Sequence, residues 1–92
     1  MATVLIPAPL RKLTKDADTV TIICNDTTVK NIIDQLDFAY PGIRERILSE
    51  NGDLNRFINI YINQEDIRFG LGLDTVVSAS DVVSLMPAIA GG

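Results

Sequence analysis

The chain has 92 residues, of which 47% are apolar and 22% charged, and it carries a formal net charge of −4. One domain fits that length, burying roughly 60–65% of the unfolded surface, and such a composition excludes global disorder. The acidic balance excludes the broad basic footprint that phosphate contacts demand, leaving only a short Arg11, Lys12, Lys15 cluster that reads as solvated loop charge.

Ala2 to Pro7, "ATVLIP", reads as a strand with Val4 and Ile6 on one face and Thr3 and Leu5 on the other. Pro7 and Pro9 stop it, and "LRKLTKDADT" is a turn-rich connection to a second strand, Val20 to Cys24. The pair forms an N-terminal hairpin with a long loop. The period then changes. Val29, Ile32, Ile33 and Leu36 fall at helical spacing, with Tyr40 one turn later. Thr27 or Thr28 is placed to cap this helix, and Pro41-Gly42 closes it. Ile43 to Leu48 adds a short second helix, and "SENGD" is a loop. Phe57 to Asn63, "FINIYIN", carries the strongest strand signal. It sets Ile58, Ile60 and Ile62 on one face and Phe57, Asn59 and Tyr61 on the other. "NQED" reads as a turn, "IRF" as a short strand and "GLGLDTVVSASD" as irregular. Val82 to Pro87 is the final strand, with Val83 and Leu85 inward.

Two hairpins therefore flank a helix whose apolar stripe needs a sheet to cover it. The expected fold class is α+β. It is a β-grasp, ubiquitin-like domain over residues 1–87, a mixed sheet of four to five strands with one main helix on one face. A tail, residues 88–92, follows it and ends in Gly-Gly.

Little of the chain is equipped for catalysis. One cysteine and no histidine leave a disulfide, a Cys/His zinc site and serine–histidine or cysteine–histidine chemistry without their parts. Cys24 ends a β-branched run, where a small buried hydrophobe fits. The carboxylate pairs Asp16 with Asp18 and Glu65 with Asp66 lie in expected turns, and "GLG" at Gly70 to Gly72 has no following lysine or helix to make a phosphate loop. No run approaches the ~20 apolar residues of a membrane span, and the N-terminus lacks a basic-then-apolar signal. A reduced, cytoplasmic protein without nucleic-acid or membrane partners is expected. The end differs from the rest. Residues 88–92 extend about 15–18 Å at ~3.3–3.6 Å per residue. No large side chain follows Ile89. Such an end passes through a tunnel that a Cβ atom would block; from the residues alone, simple fraying accounts for it as well.

The "PAIAGG" end, one strand after "FINIYINQEDIRF", resembles the ubiquitin-like sulfur carriers of the MoaD/ThiS kind. Arg56 to Phe69, Asp81 to Gly92 and Val4 to Arg11 carry the likeness nearly end to end, and "NIYINQEDIRF" favours the CysO-type carriers of cysteine biosynthesis. The resemblance implies a co-substrate rather than an enzyme, with no catalytic residue and no permanently bound cofactor or metal. Gly92 would be adenylated by an E1-like enzyme of the MoeB/MoeZ kind that consumes ATP, and a sulfur donor would convert it to a thiocarboxylate. Gly91 would supply clearance. In the cysteine branch the sulfur goes to an activated serine derivative on a pyridoxal-phosphate cysteine synthase, and a JAMM-type metalloprotease then frees the product. Two other branches stay open: the small subunit of molybdopterin synthase, whose tail enters a large subunit, and a protein modifier joined through Gly92. Docking by analogy uses Leu5, Pro7 and Met86 on the outer side of the sheet, with Tyr61 and Ile89 beside them.

Overall fold

The computed structural model describes residues 1–88. Strand β1, Ala2–Leu5, and strand β2, Thr19–Ile22, pair antiparallel. The loop between them is tied down rather than loose. Ile6 N–H donates to the Asp18 carbonyl at 2.9 Å, and the Arg11 Nε donates back to the Ile6 carbonyl at 3.0 Å. Thr14 is buried there, its hydroxyl donating to the Ala17 carbonyl at 2.8 Å. A 3-10 turn, Ala8–Leu10, follows Pro7 and sends Leu10 into the core.

Strand β3, Thr27–Thr28, leads directly into helix α1, Val29–Ala39. Thr28 caps it, its hydroxyl accepting from Asn31 N–H at 3.2 Å and so satisfying one of the free N–H groups of the first turn. Val29, Ile32, Ile33 and Leu36 form the buried stripe, each 2% exposed or less. Asp37 receives the N–H groups of Gly42 and Arg44 at 3.0 and 3.1 Å, turning the chain into helix α2, Ile43–Ile47. Gly42 sits at φ +104°, where a side chain is strained.

Strand β4, Ile58–Ile62, turns through Asn63 and Gln64 into strand β5, Glu65–Asp66. Both turn residues have positive φ, +49° and +77°, as a two-residue type I′ hairpin requires. This corrects the sequence reading at "NQED" and "IRF". The turn takes two residues, the strand is Glu65–Asp66, and Ile67–Phe69 is a 3-10 turn. Asp66 causes the change, because its carboxylate accepts Arg68 N–H at 2.8 Å and ends the ladder. A second correction follows. Strand β6, Val76–Val77, lies in the stretch read as irregular and pairs antiparallel with β3 in a separate two-stranded sheet.

Strand β7, Val82–Pro87, matches its expected bounds. The main sheet has five strands in the order β2-β1-β7-β4-β5. β7 is parallel to β1 and antiparallel to β4, so the sheet is mixed. Helix α1 covers one face of it, over a core that includes Val4, Ile60, Val83, Leu85 and the helix stripe. Cys24 belongs to that core, as its β-branched setting suggested. Among the described residues no helix is long and apolar enough to cross a membrane.

Candidate functional site

Strand β7 is the element that leads to the chain end. It is the middle strand of five, held on both sides. Val83 and Leu85 point into the core at 1% and 2% exposure, while Met86, between Leu85 and Pro87, faces out at 49%. Ile58 stands opposite Pro87, and beyond it Ala88 N–H donates to the Phe57 carbonyl at 2.8 Å. Hydrogen-bonded and unbonded pairs alternate along an antiparallel ladder. The Phe57/Ala88 pair is bonded, so the Ile58/Pro87 pair is the unbonded kind. A proline at that point removes no bond to β4, which explains how it sits at the end of a central strand. Ala88, the last described residue, thus still belongs to the ladder. Gly91 and Gly92, on which the chemistry was expected to rest, and Ile89, expected in the docking face, lie outside the described residues.

The other expected residues fall on the outer side of the sheet. Leu5 pairs with Ser84, and Ser84 with Tyr61, making one row across β1, β7 and β4. Met86 stands opposite Asn59 in the next position toward the chain end. Leu5 is 39% exposed, and Pro7 and Tyr61 are half-buried. Leu5, Pro7, Met86 and Pro87 line a single groove, with Pro9 and Arg11 at its side. Tyr61 is reached from Leu5 through Ser84 and is not part of that groove.

Pro9, Arg56 and Phe57 were not singled out from the sequence, whereas Asn59, with Tyr61, reads there as an outer-face residue open to surface or partner contacts. Pro9 was read only as a strand stop. Phe57 holds Ala88 through its backbone, and the Arg56 guanidinium lies 5.5 Å from its ring centre. Asn59 brings a side-chain carbonyl, Oδ1, that is buried and has no hydrogen-bond partner. The alternation of "FINIYIN" puts Phe57 and Asn59 on the outer face; the contacts that give them roles come from β7, distant in sequence. A second groove lies across Pro87, formed by Pro7, Leu10, Phe57 and Ile58 with Lys12 and Arg46. Among the described residues no group of three or more His, Cys, Asp or Glu is placed to hold a metal ion.

The groove beside Met86 is lined mostly by apolar residues and reaches Pro87. Comparison with known proteins identifies the class. The ThiS family matches residues 4–92. The chain belongs to the ThiS family. It is 42% identical over 92 residues to the sulfur carrier protein CysO of Mycobacterium tuberculosis, covering 98% of this chain and 97% of that protein. A chain in the crystal structure of the Amycolatopsis orientalis BexX/CysO complex superposes with a TM-score of 0.90 at 40% identity, with 100% of both chains covered. Small archaeal modifier protein 3 of Haloferax volcanii is 29% identical over 68 residues, 74% of this chain and 73% of that one. The β-grasp architecture described above is that of the CysO chain on which it superposes. By its likeness to these sulfur carriers the chain is a small protein substrate rather than an enzyme.

Proposed function

We propose that this ThiS-family protein carries sulfur on the carboxyl group of Gly92 for cysteine biosynthesis. A family match that runs through to residue 92, at 42% identity to a CysO sulfur carrier, carries the reading. The chemistry follows from the electrophile. A carboxylate resists attack by sulfur, so one oxygen first attacks the α-phosphorus of ATP on an E1-like enzyme, releasing pyrophosphate. The resulting acyl-adenylate accepts a sulfur donor at its carbonyl carbon, AMP leaves, and a thiocarboxylate remains. The thiocarboxylate sulfur then takes the place of the leaving group on the β-carbon of an activated serine derivative held by a pyridoxal-phosphate synthase. The acyl group passes from sulfur to the new cysteine's amine, and a metalloprotease hydrolyses that amide to free cysteine and restore the carboxylate. The carrier supplies the carboxylate, the clearance of Gly91 and a docking face of Leu5, Pro7, Met86 and Tyr61. Its base is rigid because β7 is gripped by β1 and β4.

Intact-mass spectrometry after incubation with ATP, an E1-like enzyme and sulfide tests this. The expected result is a mass gain equal to exchange of one oxygen for sulfur. Deletion of Gly92 is expected to abolish that gain and to leave the unfolding midpoint unchanged. A wild-type chain that stays at its original mass would overturn the reading. The likeness to a small archaeal modifier protein favours a second use, attachment of Gly92 to lysines of other proteins. Slower-migrating conjugates in cells expressing a tagged chain, absent from the Gly92 deletion, would reveal it.

A further inference from the structure

The eight cations of this acidic chain are unevenly placed. Arg11 borders the groove of Leu5, Met86 and Pro87. Lys12 and Arg46 border the groove on the other side of Pro87. Arg56 stacks on Phe57, the residue whose carbonyl holds Ala88. Three separate segments, the loop after β1, helix α2 and the approach to β4, thus bring four positive side chains around one point. Arg11, Lys12 and Arg46 line these two grooves against two carboxylates, Asp18 and Glu45, while Arg56 lines a third groove with Lys30, Arg68, Asp53 and Asp74. Among the described residues the single side-chain ion pair, Arg44 with Asp34, lies outside both grooves. A chain of net charge −4 has therefore kept a local positive excess where its end departs.

We propose that Arg11, Lys12, Arg46 and Arg56 form a cationic collar that docks on an acidic protein surface, the rim of the opening in the enzyme that activates the chain end. The inference rests on the proposed use of Gly92. Four residues follow Ala88, and they span at most about 13–14 Å at ~3.3–3.6 Å each. An active site receiving Gly92 must therefore open within that distance of Ala88, so its rim faces the collar. Opposite charge at such a rim accelerates encounter and fixes orientation more than it strengthens the final complex. The effect is screened over about 8–10 Å at physiological salt. The Arg11, Lys12 and Lys15 cluster, read from sequence as solvated loop charge, is in part a piece of this collar: the fold adds Arg46 and Arg56 to it.

The test measures pyrophosphate release by the cognate E1-like enzyme with the full chain, across a range of sodium chloride. Wild type is compared with the triple variant Lys12→Glu, Arg46→Glu, Arg56→Glu, and with Lys15→Glu, a charge reversal at a residue that lines none of the three grooves. The triple variant is expected to lose at least tenfold in kcat/KM at low salt with kcat retained. Its rate should rise with salt as repulsion is screened, and the two proteins should converge at high salt. Lys15→Glu should stay within twofold of wild type. If the triple variant fails to fold by circular dichroism, Lys12→Gln with Arg46→Gln should show the same kcat/KM loss at smaller size. Equal kcat/KM and equal salt slopes for wild type and variant overturn the collar alone. A wild type that releases no pyrophosphate overturns the proposed function and the collar together. Variants that lose affinity only for single-stranded DNA would assign the charges to a nucleic acid and overturn the proposal.

Discussion

The two faces of the main sheet share every strand yet behave as different materials. On the inner face Val4, Ile60, Val83 and Leu85 are between 0% and 2% exposed. On the outer face Leu5 and Met86 are 39% and 49% exposed, and Ser84, Asn59 and Tyr61 are half-buried. Side chains on a strand alternate between faces, so each residue that stabilises the fold is followed by one free for recognition. A register slip of one residue would exchange the two sets. The inner face therefore fixes the register, and the register aims the outer face.

Breaking the inner face should give the largest effect. Ile60→Ala removes a fully buried side chain and should lower unfolding free energy by about 2–5 kcal/mol in a urea titration. A loss under about 1 kcal/mol would mean that the site collapses around the change. On the outer face the same kind of assault should spare the fold. Met86→Asp should shift stability by no more than about 0.5 kcal/mol. It should raise KM for the activating enzyme at least tenfold, about 1.4 kcal/mol. Unchanged KM would remove Met86 from the docking surface. The smallest effect should have the opposite sign. Asn59→Leu removes a buried carbonyl without a partner and should raise stability by up to about 1 kcal/mol. A fall in stability would show that this carbonyl is satisfied in solution.

The features legible in the sequence were those with enough residues to show a period. Helix α1 begins at Val29 as its apolar spacing required, and β7 spans Val82–Pro87 as read. Leu5 and Met86 were placed outward by alternation alone. What escaped was short or held from afar. β3 and β6 have two residues each, too few for any period, and exist because they pair with one another. The Val29 N–H bond to the Thr75 carbonyl, at 3.0 Å, adds to that pairing across a long sequence gap. "IRF" looked like a strand because Ile67 and Phe69 alternate around Arg68, while the Asp66 cap bends the backbone away. Arg46 and Arg56 gave no local sign of sharing a neighbourhood with Lys12, since three separate segments assemble there.

The placement of β7 has a consequence for how the molecule comes into being. Without residues 82–87 the sheet is two unconnected pieces, β2 with β1 and β5 with β4. No earlier strand bridges them, so the most distant contacts in sequence form around the segment made after all the others, a topology that folds slowly. A partly synthesised or partly unfolded chain has no joined face of Leu5, Ser84 and Tyr61 to offer. The strand that completes the sheet is the one that leads to the chain end. On the proposed use of Gly92, an outer face joined across β1, β7 and β4 thereby exists only once folding has finished.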